Sequence, residues 1–390
     1  MKTLHLAACL SLLGVAACGD DTTSDTTTSG SGGGGAGGAA TGGGGAGGNA
    51  PLACGADALA ADLVGGTWDD RFTISGFTDH DGIAPRVNDF AFEPNGDLVA
   101  VGRFSWFEGQ TVPPFMRFDG ATQTWVPGRT TWELPLPLDG FQAVAIDPGG
   151  TLALATAAAS FPGAPKKGEI WLDTGSGLES IGAFDGQVRT ITWVGGELWV
   201  AGYFALSTGS SPIANLAVWD GAAWNEPPGG PADGPVYEIA EHDGTVYVGG
   251  SFSGVGGIGA SNVASFDGAA WTPYDFADAV AIFALTTTPE GELYAGGAYG
   301  PFEEASGVAR WTGTDWQTVG GGLAQYDTRG VVSDLVAHDG VIDMIGCFSS
   351  AGGLASSADS TPARSVARFD GASWQTLDDG TAPVQSGWFS

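Results

Sequence analysis

NVASFDGAAWTPY, residues 262–274, reads as a strand, an Asp-Gly turn and a second strand closed by tryptophan. Asp-Gly is a signal for a two-residue hairpin, because both turn positions accept positive φ. The stretch has close copies: NLAVWDGAAWNEP from Asn215, GVARWTGTDWQTV from Gly307 and SVARFDGASWQTL from Ser365. Trp125, Trp224, Trp271, Trp316 and Trp374 hold the same slot.

A second hairpin precedes each copy. Its first strand is alternating and apolar: VNDFAFE from Val87, FQAVAID from Phe141, VRTITWV from Val188, VYEIAEH from Val236, IFALTTT from Ile282 and VSDLVAH from Val332. Turns follow at Pro94-Asn95-Gly96, Pro148-Gly149-Gly150, Gly195-Gly196, Asp243-Gly244, Pro289-Glu290-Gly291 and Asp339-Gly340. The second strand ends in glycine and usually an aromatic, as in ELWVAGYF and TVYVGGSF. Gly202, Gly250, Gly297 and Gly346 are equivalent, at intervals of 48, 47 and 49 residues. Gly102 lies two intervals before Gly202, with a worn copy between them.

Four short antiparallel strands in a unit of this length is the pattern of a β-propeller blade. Such a sheet buries both faces against its neighbours, so the units stack around an axis. The expected fold is therefore all-β, a propeller of six four-stranded blades over residues 51–390, with seven as the alternative. Residues 67–77 and 383–390 would either staple the ring or supply the extra blade. The recurring tryptophan is expected to fill the widening gap between outer blade edges.

With these repeats the chain resembles kelch-like and galactose-oxidase-like propellers over residues 87–382. The resemblance implies a scaffold that binds ligands through the loops of one face. It does not bring the copper chemistry of galactose oxidase with it, because no Tyr–His cluster accompanies Cys347.

The N-terminus has a separate logic. Lys2 and the apolar run Leu6–Ala17 are too short to cross a bilayer and read as a signal peptide, residues 1–17. Val15-Ala16-Ala17-Cys18 resembles a bacterial lipobox, which implies cleavage before Cys18 and its acylation. Several acyl chains anchor stably, at about 0.8 kcal/mol per buried methylene. Gly19 in place of Asp points to the outer membrane or cell surface. Residues 18–50 are the lipidated cysteine and a Gly/Ser/Thr-rich tether that cannot offset the entropy of ordering. Its r.m.s. span is about 30 Å. An exported chain permits a disulfide between Cys54 and Cys347, with two thiols as the alternative.

Formal net charge is −31, which repels nucleic acid and favours solubility or basic partners. The folded part is expected to be a monomer without nucleic-acid partners, reaching the membrane through its N-terminal lipid.

Recurring side chains serve geometry in a repeat protein, so chemistry belongs to exceptions. His242 and His338 share a turn slot, and Arg117, Arg310 and Arg368 share an outer-strand slot; all five read as structural. Asp79 and Asp81 resemble the start of a calcium loop but lack its later ligands, leaving a weak calcium candidate and no other cofactor. Gly254–Gly259 matches G-x-G-x-x-G, but a strand follows where the dinucleotide motif needs a helix. No catalytic constellation is recognisable, and the expected role is non-catalytic binding of a protein or glycan. Trp106, Phe107, Phe161, Phe302, Glu303 and Glu304 are the loop-face candidates. A hydrolase or lyase acting on polysaccharide, and a structural envelope spacer, are the alternatives. Carboxylates converging with an Arg or Tyr at the axial mouth would favour the enzyme; a smooth mouth with exposed aromatics would favour binding.

Overall fold

The computed structural model describes residues 77–78, 86–107, 110–127, 140–156, 167–175, 177–208, 211–301, 304–363 and 365–376. Among these, strands and turns are present and no residue is helical.

The repeat unit is a four-strand antiparallel meander. Unit one is Arg86–Phe92, Leu98–Arg103, Phe115–Asp119 and Thr124–Pro127. Unit four is Val236–His242, Thr245–Gly250, Val263–Phe266 and Trp271–Pro273. Unit five opens with Ala279–Thr287 and closes with Trp316–Thr318; unit six runs from Val331–His338 to Trp374–Thr376. Units two and three share one seven-stranded sheet. The 17-residue strand Leu178–Val194 ends unit two against Lys167–Asp173 and begins unit three against Glu197–Thr208. The handover falls at Asp185-Gly186, where Gly186 has φ +134°. No turn residues interrupt this stretch, so the backbone kinks at glycine and continues.

Turn chemistry divides into two classes. Units one, two and five have five-residue inner turns; in the other three units Val194 pairs with Glu197, His242 with Thr245 and His338 with Val341. These three are two-residue turns with both central residues at positive φ, such as Asp243 at 49° and Gly244 at 79°. In the outer hairpins Phe266 pairs with Trp271, so four residues intervene where two are expected. The aspartate explains the longer loop: Asp267 Oδ1 accepts hydrogen bonds from the Ala269 and Ala270 amides, each at 2.8 Å. Asp220 and Asp370 do the same for their own loops. These amides hold the three exposed carboxyls below the usual range.

The core lies between units. One cluster joins Ala153, Ile170 and Phe184 of unit two to Val200, Phe204 and Ala217 of unit three. Equivalent clusters join one to two, three to four, four to five and five to six. The second strands are accordingly buried on both faces, as in Leu98–Val101.

The recurring tryptophan bridges neighbouring units. The Trp224 indole N–H donates to Ile181 O at 2.6 Å, Trp271 to Pro228 O, Trp316 to Tyr274 O and Trp374 to Gly320 O, the last three at 2.7 Å. Each acceptor belongs to the end of the preceding unit. Ring contacts follow the same route: Trp271 meets Trp199 of unit three at 6.3 Å, and Trp224 meets Phe184 of unit two at 5.0 Å. A large apolar body with one polar handle suits this half-buried seam.

The segments between second and third strands form pairings of their own, although sequence reading leaves them as loops. Gly254–Val255 pairs with Ile258–Gly259 around Gly256-Gly257, so the G-x-G-x-x-G match is a small hairpin. Trp106–Phe107 pairs with Phe77–Thr78 and with Gln110–Thr111.

Candidate functional site at the axis

Each of the six inner strands carries a register shift at the same place. The shifts fall between Val87 and Asp89, Phe141 and Ala143, Val188 and Thr190, Val236 and Glu238, Ile282 and Ala284, and Val332 and Asp334. A β-bulge leaves one residue unpaired and re-aims its side chain. The unpaired residues are Asn88, Gln142, Arg189, Tyr237, Phe283 and Ser333. All six line one cavity of about 220 Å³.

In five of the units a glycine lets the second strand approach the first closely at the bulge. Gly102, Gly202, Gly250, Gly297 and Gly346 lie across from the residue that opens each bulge. A Cβ on any of them would fall well inside 3.0 Å of a first-strand carbonyl oxygen. Unit two has Thr156 at this position, paired with Phe141.

Asp89, Glu238 and Asp334 occupy the position after the unpaired residue and also line the cavity. Each carboxylate accepts from the next amide: Phe90 N and Leu335 N at 2.8 Å, Ile239 N at 3.0 Å. The second Asp89 oxygen accepts from Val144 N at 2.8 Å, tying unit one to unit two. Asn88 reinforces that seam by donating to Phe141 O at 2.7 Å. The three acids are ringed by protein while still touching the cavity, and they repel one another. Burial pushes the Asp89 carboxyl up to about 7, with its amide bonds opposing and the Asp334 charge adding. Burial also pushes Glu238 well above the usual carboxylate range, Asp334 adding to it and Arg189 opposing. Arg189 itself is lowered by burial, against the pull of Glu238.

This has a consequence for stability. The folded state keeps a proton on Asp89 that the unfolded chain releases near pH 3.9. Stability therefore falls as pH rises from about 4 to 7, by on the order of 3–4 kcal/mol. Asp89→Asn removes the Asp89 part of the slope, leaving that of Glu238, while losing one acceptor, worth about 1–2 kcal/mol. Urea denaturation is expected to show the variant more stable than the parent at pH 8 and no better at pH 5. A parent-like slope in the variant would assign the pH dependence elsewhere.

The sequence candidates are dispersed. Cys18, Cys54, Asp79, Asp81, Phe161, Phe302 and Glu303 lie outside the described residues. Trp106 and Phe107 are half-buried in their small sheet, and Phe107 packs on Phe104, Val112 and Met116. Glu304 is exposed, and Cys347 is exposed in the slot after Gly346. None of these four lines the axial cavity. Arg117, Arg310 and Arg368 each pair with acids of their own unit. Among the described residues no three His, Cys, Asp or Glu side chains are placed to hold a metal ion. The axial residues carry one readable sequence signal: position two of the first strand is Asn, Gln, Arg, Tyr, Phe and Ser in turn, while position one is always apolar.

Four-strand meanders, packed inner strand to inner strand in chain order, line one polar cavity. The fold is a β-propeller. Solved structures similar to the chain are propellers too. They include the WD40 repeats of RRP9, at 11% identity over 71% of this chain and 78% of that one, with a TM-score of 0.45. YCF48 bound to D1 peptide gives 14%, 79%, 89% and 0.46 for the same quantities. The β-propeller domain of the Trilobed protease from Pyrococcus furiosus gives 13%, 76%, 85% and 0.47. No family model and no curated protein matches the chain.

Proposed function

We propose that this chain is an exported, lipid-anchored propeller of six blades closed into a ring, which binds a protein or glycan through its loop face with the axial cavity at the centre. One observation carries the reading. The slot that the bulges aim into a shared cavity holds six different residues in the six repeats, and residues of the first and sixth inner strands meet there. Repetition elsewhere is explained by turns, seams and core, so variation here marks selection for a ligand. Closure is supported by the same lining, with Asp89 and Asp334 close enough for their charges to interact.

A screen of glycans and surface proteins against the purified chain tests this. Expected hits weaken when the axial residue Ser333 is replaced by Trp, which fills the cavity. Hits that ignore the substitution place binding away from the axis. Anchoring is tested separately: Cys18→Ser is expected to move the protein from the membrane fraction to the soluble one. Continued sedimentation with membranes counts against the lipobox.

Convergence of three carboxylates with Arg189 and Tyr237 favours a second reading, a hydrolase. Both Asp89 oxygens are occupied by backbone amides, which leaves Glu238 and Asp334 as the acid/base pair. Release of terminal sugars that Glu238→Gln abolishes would establish this second reading over the first.

A further inference from the structure

Arg189 is the one cation in the cavity lining, and its guanidinium makes no hydrogen bond and no ion pair within 4.0 Å among the described residues. A guanidinium carries five donors in a planar fork, and at the cavity wall several of them are open to one ligand at once. Glu238 leaves a similar remainder: Oε1 is held by the Ile239 amide, while Oε2 has no hydrogen-bond donor among the described residues. Beside them Tyr237 and Phe283 form an aromatic wall, with ring centroids 5.4 Å apart and planes at 50°. Asp89 and Asp334 also line the cavity.

An anion alone would suit Arg189 but leave the open Glu238 oxygen without a donor. A cation alone would suit the carboxylates and leave the arginine fork empty. One small molecule carrying both charges satisfies both remainders. We infer that the axial cavity binds a free α-amino acid, its carboxylate on the Arg189 fork and its ammonium between Glu238 and the Tyr237–Phe283 wall. Arg–carboxylate pairing is bidentate and directional, and an ammonium is favoured by aromatic faces and a carboxylate together. This rests on the binding reading above and names its ligand class.

Calorimetric titration of the full chain with matched probes tests it: L-leucine, isoamylamine, which lacks the carboxylate, and 4-methylpentanoate, which lacks the ammonium. Leucine is expected to bind, with each single-charge probe at least about tenfold weaker. Arg189→Gln is expected to weaken leucine by about tenfold or more and leave isoamylamine unchanged; Glu238→Gln weakens both. Arg189→Lys, which keeps the charge and loses the fork, serves as the second variant, with an intermediate loss for leucine. Thermal melts report whether each variant is folded. Equal affinity for leucine and isoamylamine, or for leucine and 4-methylpentanoate, overturns the inference, as does absence of binding to all three probes. If the probes fail while the glycan and surface-protein screen gives axis-dependent hits, the amino-acid assignment falls and the binding scaffold stands. If the screen also fails, both fall.

Discussion

Gly297→Ala is expected to destabilise the propeller by on the order of 4 kcal/mol, the range in which a single substitution forces backbone to move. The added methyl group would collide with Ala281 O and Ile282 Cα on the paired strand, and neither is the flexible end of a side chain. Relief requires the two strands to part at the bulge. That opens ladder hydrogen bonds and shifts Phe283 in the cavity wall. Gly259 is the control, since a Cβ there has nothing within 4 Å, and Gly259→Ala is expected to be neutral within about 0.5 kcal/mol. Urea denaturation of both variants decides the matter. Equal, small effects at the two positions would mean that the glycine is not what permits the close approach.

Asp343→Ala is expected to cost about 3–5 kcal/mol by the same measurement, because it strips one partner from a buried charge network. Asp343 is only 1% exposed, yet it accepts from Arg368 Nε and Nη2, both at 2.6 Å, and meets His338 Nε2 at 2.7 Å. Truncation leaves the guanidinium without its bidentate acceptor in unit six. Adding Arg368→Leu to Asp343→Ala is expected to recover part of the loss, since apolar replacement of a whole buried pair is often close to neutral. The related pair in unit five behaves differently. Arg310 and Glu292 lie 2.9 Å apart but are 41% and 47% exposed, so Glu292→Ala is expected to cost less than about 1 kcal/mol. A loss for Asp343→Ala as small as that of Glu292→Ala would mean water reaches the unit-six network.

The two networks illustrate how far a repeat can be read. Arg310 and Arg368 share a sequence slot, and assigning that slot a structural role agrees with their intra-unit partners. Their differing burial is not in the slot. It follows from the partner: Asp343 lies opposite Arg368 inside the second strand, whereas Tyr294 lies opposite Arg310 and its acid, Glu292, precedes the strand. The outer Asp-Gly dipeptide gives a similar lesson. It marks the right place for a hairpin, but it also suits a longer loop in which the aspartate caps two amides, and the longer loop is what forms. Unit two was recognisable only as a worn copy, because its Leu172-Asp173-Thr174-Gly175 hairpin lacks the aromatic, and its last strand continues into unit three as Leu178–Val194.

Period, turn residues, glycine slots and burial on both faces of the second strand are local properties, carried within one unit of the chain. The sequence by itself therefore determined a four-strand module, its repetition and the tryptophan seam between neighbours. Only the tertiary structure decided that Asn88, Gln142, Arg189, Tyr237, Phe283 and Ser333 share a cavity, that Asp89 spans two units, and that Glu238 and Arg189 keep hydrogen-bonding capacity to spare. These groups lie about a repeat or more apart along the chain, and their chemistry depends on through-space distance and enclosure, which arise only once the inner strands gather around an axis.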